Sequence, residues 1–355
     1  MEKIKKIILI TGVLVFFLIL AVSISQPFFK NYFNSCFENN NFFDLKSFSK
    51  LKPRQVSLIA VGDIMLTRGV EIKIAKYGPD YPFLKTREYL NTGDIVFGNL
   101  ETPIAEGRAI KPGEMLFRSN PGLEKELKAS NFSILSLANN HTLNFGWQGL
   151  KETFQYLDEA GIKYVGAGIN LKQAYSPTII KSNDLSFAFL AFDDIDFTPE
   201  SYGATNDLPG IAFMNEEKMI QAVNQARAQA DFVIVSMHSG NEYHNEASEK
   251  QKRFARLAID SGAEMVIGHH PHVVEPIEKY KGKYIFYSLG NFIFDQMWSE
   301  ETREGAMIKV IFDKSGVKDL EIKAVKIDDY CQPRILNSEE AQKILERMPL
   351  EIIFE

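Results

Sequence analysis

Short apolar runs alternate with longer amphipathic stretches along this chain, and the apolar runs stop abruptly at polar residues. The run 56–61 stops at Gly62-Asp63, and 95–97 leads into Gly98-Asn99-Leu100-Glu101. The run 132–137 leads into Ala138-Asn139-Asn140-His141, and 232–237 into His238. The run 265–267 is followed by Gly268-His269-His270-Pro271-His272, and 284–289 by Gly290-Asn291. Runs this short, rich in β-branched and aromatic residues, predict strands. Between them, apolar positions three and four apart predict helices over 146–160, 216–229 and 246–261. A further strand is predicted at 187–192, leading into the acidic loop 193–196, with a hairpin before it; β-like runs at 306–312 and 320–327 complete the sheet system. The fold class expected is α/β, helices flanking sheet, in one domain over 55–330. Residues 331–355 read as a C-terminal tail with a short helix from Ser338 to about Arg347.

Ahead of this domain lies an uncharged apolar run, 7–24, preceded by Lys3, Lys5 and Lys6. It predicts one N-terminal transmembrane helix, with residues 1–26 forming a cytoplasmic stub and anchor and the rest of the chain outside. Ala21-Val22-Ser23 makes a poor cleavage site, so an uncleaved single-pass anchor in the cell membrane is expected over a signal peptide. Residues 27–54, rich in Phe, Asn, Ser and Lys without a period, read as a linker.

Charge narrows the function classes. Lys and Arg number 40 against 46 Asp and Glu, a net −6 with no basic tract, which argues against nucleic-acid binding. The two cysteines, Cys36 and Cys331, show no zinc spacing and build no disulfide scaffold. No Gly-x-Ser-x-Gly elbow or phosphate loop is present, and Gly166-Ala-Gly168 lacks the third glycine of a dinucleotide fingerprint. Histidine is the informative residue: of six, three fall within positions 269–272.

Ligand-capable residues thus end six strands at the carboxyl edge, where open α/β sheets bind their ligands. Each alone reads as a turn or cap residue; together they predict a metal centre of Asp63, Asn99, Glu101, Asn140, His238, His270 and His272, with His141 or Glu101 as proton donor or acceptor. Mixed carboxylate, amide and imidazole donors suit one or two divalent ions such as Mn, Zn or Fe, whereas calcium wants oxygen alone. Alternation along His270-Pro271-His272 points both rings the same way and His269 elsewhere, toward a structural hydrogen bond, while His244 reads as solvent-side. Such a site needs neutral imidazoles, so ion retention is expected to fail below about pH 6.

The motifs Ala60-Val-Gly-Asp-Ile-Met65, Gly98-Asn-Leu-Glu-Thr-Pro103, Leu137-Ala-Asn-Asn-His-Thr142, His238-Ser-Gly-Asn-Glu-Tyr243, Gly268-His-His-Pro-His-Val273 and Tyr287-Ser-Leu-Gly-Asn-Phe292 resemble, in order, the CapA/PgsA family of bacterial capsule proteins tied to poly-γ-glutamate biosynthesis. The resemblance implies a fold similar to calcineurin-like metallophosphoesterases, a four-layered α/β/β/α sandwich with a two-metal site. In that pattern Asp63 resembles the first aspartate, Asn140 the amide ligand and His141 its transition-state partner; His238, His270 and His272 resemble the later histidine ligands. Met65 stands where those enzymes carry the His of Asp-x-His, and Asn99 or Glu101 replaces the bridging aspartate, which implies an altered or single-metal centre.

The implied function is a membrane-anchored, extracytoplasmic component of poly-γ-glutamate capsule synthesis or export, cleaving or transferring γ-glutamyl bonds. Its partners would be the anionic polymer, met by local bases such as Arg68, Lys111 and Arg118, and other membrane capsule-synthesis proteins. The alternatives are a surface metallophosphoesterase acting on nucleotides or envelope phosphoesters, and a non-catalytic polymer-binding scaffold.

Overall fold

The computed structural model describes residues 55–353 apart from Pro112, so the anchor and linker expected over 1–54 lie outside the described residues. Among the described residues no helix is long and apolar enough to cross a membrane.

The strand Val56–Ile64 shows how this sequence makes its layers. All nine positions are buried, as expected for a central strand covered on both faces. Successive side chains point to opposite faces, so Ile59 and Val61 join one apolar cluster while Leu58 and Ala60 join another. The sheet around it runs Gln332–Ile335, Gly316–Asp328, Glu304–Asp313, Val56–Ile64, Ile95–Leu100, Ile134–Ser136, Lys163–Val165, with Asn291–Ile293 also pairing to Val56–Ile64. A second sheet runs Leu350–Ile353, Ile277–Tyr280, Lys283–Phe286, Met265–His269, Phe232–His238, Leu185–Asp193, Thr178–Ser182.

Three apolar clusters bind the layers. Leu150, Phe154 and Leu157 of the helix Gly146–Ala160 pack on one face of the first sheet. Leu58, Ala60 and Phe97 meet Phe187, Ile234 and Met265 between the two sheets. On the far face of the second sheet lie Met219 and Val223 of Glu216–Arg227, and Phe254 and Ala258 of Glu249–Asp260. Both of those helices begin at side-chain caps, Asn215 and the capping box of Ser248 with Gln251. The order is helices, sheet, sheet, helices.

Residues 331–353 are more than the tail expected over 331–355. The helix Ser338–Leu345 is there, but Gln332–Ile335 pairs with Gly316–Asp328, and Leu350–Ile353 lies parallel to Ile277–Tyr280. These residues therefore complete one edge of each sheet, through pairings no local period reveals.

Two glycines let the sheets close at the strand ends. A Cβ on Gly62 would stand 1.9 Å from the Gly290 oxygen, and one on Gly268 would stand 1.9 Å from the Tyr287 oxygen. After Lys283–Phe286 in the second sheet the chain crosses to the first, where Asn291 pairs beside Asp63.

Candidate metal centre

Strand register brings the chemistry together. In the first sheet Asp63 lies beside Asn99 and Asn99 beside Ser136; in the second, Asp193, His238 and His269 lie side by side. The polar residues that end these strands are drawn into one buried cluster where the sheets meet.

Asp63, Glu101 and His272 offer ligand atoms that all lie within 4.8 Å of one another. His272 Nδ1 is 3.6 Å from Asp63 Oδ2, and its Nε2 is 3.8 Å from Glu101 Oε1. His141 Nε2 lies 3.9 Å from the same Glu101 oxygen. A second group stands beside this one: His238 Nε2 is 3.2 Å from Asn140 Oδ1, and the His238 and His270 rings are 4.8 Å apart. The His270 backbone N–H donates to Asp63 Oδ2 at 3.2 Å, linking the two groups.

Amides set the direction in which each imidazole presents its lone pair. The Asn291 amide nitrogen donates to Gln296 and to the Thr302 carbonyl, leaving its Oδ1 to accept from His272 Nδ1 at 2.9 Å. Asn144 Oδ1 accepts from the Phe117 N–H and from His141 Nδ1, both at 2.8 Å. Each ring therefore carries its proton on Nδ1 and turns an unprotonated Nε2 toward Glu101.

Asn99 sits at the centre of the cluster. Its amide nitrogen donates to Asp63 Oδ1 at 2.9 Å and to His238 Nδ1 at 3.2 Å, while its oxygen accepts from Asn139 at 3.1 Å. In this arrangement Asn99 ties the other groups together, and His238 carries its proton on Nε2, shared with Asn140. Met65 is buried, with its sulfur accepting from the Thr67 N–H.

The electrostatics follow from burial. Burial pushes the Glu101 carboxyl well above its ordinary range, and the Asp63 charge adds to the effect. Burial pushes Asp63 the same way, but His272, the charge of His269 and the Asn99 hydrogen bond outweigh it, and Asp63 is held low. Burial lowers His141 to about 4 and His270 to about 3, and it also holds His238 and the structural His269 below ordinary histidine. Neutral rings around an acidic pair suit a cation.

The residues fit a divalent ion on structural grounds. Both Glu101 oxygens and His270 Nδ1 are buried without any hydrogen-bond partner. Buried polar atoms are nearly always satisfied, and three such atoms among imidazoles and carboxylates mark where a cation would complete the bonding.

Other expectations are placed as follows. His269 bonds through Nε2 to the Val61 carbonyl at 3.1 Å, the structural role expected, and His244 is exposed. The three bases do not form an anion-binding patch. Arg118 is buried and donates to the Ala105 and Arg108 carbonyls; Arg68 is paired with Asp295; Lys111 is exposed. Sequence reasoning missed Asn139, whose Oδ1 accepts from the His141 N–H, and the clamps Phe117 and Phe197, which stack on His141 and His270 at 3.7 Å. It also gave no role to Asp193, buried with neither carboxylate oxygen bonded and pushed well above its ordinary range by burial. Asp193 stood in the acidic loop after a strand, a signal the imidazoles overshadowed.

Comparison with known proteins agrees with this geometry. Residues 57–296 match the family model described as bacterial capsule synthesis protein PGA_cap. The chain is 35% identical over 290 residues to the PGA biosynthesis protein CapA of Bacillus subtilis, covering 81% of this chain and 76% of that protein. It is 34% identical over 283 residues to the capsule biosynthesis protein CapA of Bacillus anthracis, covering 78% and 68%. In fold it is similar to the calcineurin-like phosphoesterase YfkN of Bacillus subtilis, with 13% identity, 83% and 97% coverage and a TM-score of 0.51. A putative 5'-nucleotidase of Staphylococcus aureus gives 13% identity, 83% and 57% coverage and a TM-score of 0.52. With the motifs in family order and the match running through every strand end of the cluster, this chain belongs to the bacterial capsule synthesis protein family PGA_cap, on a mixed α/β fold similar to the calcineurin-like metallophosphoesterases.

Proposed function

We propose that this protein is a membrane-anchored, extracytoplasmic component of poly-γ-glutamate capsule synthesis or export, and that its metal centre cleaves or transfers γ-glutamyl bonds. The names of its two Bacillus relatives support the pathway, and the lysine-flanked apolar run 7–24 supports the anchor. The observation that carries the chemistry is Glu101, a fully buried carboxylate with neither oxygen bonded, faced by the Nε2 atoms of two oriented imidazoles.

Asp63, Glu101 and His272 would hold one ion, and Asn140, His238 and His270 a second, with Asn99 positioning both sets. A divalent ion here supplies Lewis acidity toward a carbonyl and lowers the pKa of bound water. The chain's own residues do the rest. His141 Nε2 takes a proton from the attacking water and returns it to the departing amine nitrogen, so that the water's hydroxyl ends on the carbonyl carbon and its proton on the amine. Asn144 keeps the other His141 nitrogen protonated, and Phe117 holds the ring flat. In transfer, an amine takes the place of water.

The test combines metal content with turnover. Purified protein should hold Mn, Zn or Fe and shorten poly-γ-glutamate, and His270→Ala should lose both. A protein that leaves the polymer intact but hydrolyses a generic phosphate ester would establish the phosphoesterase alternative. One that binds the polymer without turnover would establish the scaffold.

A further inference from the structure

Beside the metal centre lies a cavity of about 560 Å³. Asn140 and His270 of the centre line it, and Asp194, Asp196, Glu242 and Lys250 are its charged lining residues. Lys250 donates to both Asp194 and Asp196, so its single charge is already shared between two carboxylates. With Glu242, three acids face one lysine, and the wall carries a surplus of negative charge. His270, whose Nδ1 is buried without a partner, belongs to the same lining. Such a cavity repels an anionic chain along its length and accepts a cationic group.

We infer that this cavity receives the free ammonium at the amino end of a γ-glutamyl chain, so that the centre acts on the polymer from that end. The inference rests on the proposed polymer substrate. A γ-linked glutamate chain has one α-carboxylate on every residue but only one α-ammonium, on its first residue. The ammonium takes the place of Lys250 on part of the acid wall, and Lys250, so released from one of its two carboxylates, meets the α-carboxylate next to the ammonium. The first γ-glutamyl bond is then the one set nearest Asn140 and His270.

Binding of a short γ-glutamyl oligomer to the full chain should be compared with that of the same oligomer N-acetylated, by calorimetry at fixed salt. The free amine is expected to bind about tenfold more tightly, the effect of one charge-assisted hydrogen bond. In Asp196→Asn combined with Glu242→Gln the difference should vanish, with the fold checked by circular dichroism. Equal binding of both oligomers by the wild-type protein would overturn the end-recognition and leave the polymer reading standing. Binding of neither would overturn both, and a preference for the acetylated form would overturn the charge argument.

Discussion

Replacing Glu101 by Gln should raise the stability of the metal-free protein and abolish most of its stabilisation by metal. The side chain keeps its shape in the change, and an amide nitrogen in place of Oε1 would turn its N–H groups toward His141 Nε2 and His272 Nε2, 3.9 and 3.8 Å away, close enough for a small shift to complete a bond. Without an ion, burial and the Asp63 charge hold the folded carboxyl's pKa above its unfolded value. The unfolded chain then ionises more readily than the folded one as pH rises past the ordinary carboxylate range, a penalty at neutral pH that Gln removes. With an ion, the balance reverses. A ligand at 100 times its Kd stabilises by about 2.7 kcal/mol. A folded unit of about 300 residues unfolds with roughly 2 cal/mol/K per residue, so this amounts to about 4 °C in Tm. If the lost carboxylate weakens affinity about 100-fold, the same ion concentration yields only about 0.4 kcal/mol, under about 1 °C. Thermal melts of chelator-stripped protein, with and without Mn, Zn or Fe, measure both quantities. An equal metal-induced rise in the two proteins, or a lower metal-free Tm for Glu101→Gln, would refute the reasoning.

Asn99→Asp puts a second carboxylate against Asp63 in place of the 2.9 Å donation; the metal-free Tm should fall and the metal-induced gain should exceed that of wild type in the same melts. Burial holds His270 near 3 and His238 below ordinary imidazole, so the ion held by Asn140, His238 and His270 should be retained below the pH 6 expected of ordinary imidazole, as dialysis at pH 5 would show. Burial pushes Glu275 up to about 8, so its stability penalty sets in above about pH 4.5 and stops growing near 8; Glu275→Gln should flatten that fall, by something of the order of 4 kcal/mol in urea unfolding. Gly268→Ala, with its Cβ 1.9 Å from the Tyr287 oxygen, should cost more than about 4 kcal/mol and yield little folded protein.

The strand ends were readable because burial on both faces forces an unbroken apolar run, and such a run announces where it stops. Asp63, His238 and His270 were found this way. What each residue touches was not readable, since Asn99 reaches Asn139 and His238 across two other chain segments, and sequence spacing carries no trace of that. Phe117 and Phe197 sit in loops without periodicity, so nothing distinguished them from the other aromatics until their rings were seen against His141 and His270. Leu350–Ile353 was hidden for a related reason: its partner, Ile277–Tyr280, is distant in the chain, and three of its four residues remain exposed.

His270 and His272 hold φ angles of +100° and +59°, and Tyr243, whose N–H donates to the Pro271 carbonyl between them, holds +66°. Side chains with a Cβ occupy that region at roughly 1–3 kcal/mol each, and glycine would sit there at ease. Glycine at 270 or 272 would therefore give a more relaxed backbone with no ring to offer. The turn thus gives up backbone ease for two rings, so sturdiness and ligand supply pull in opposite directions at these two positions.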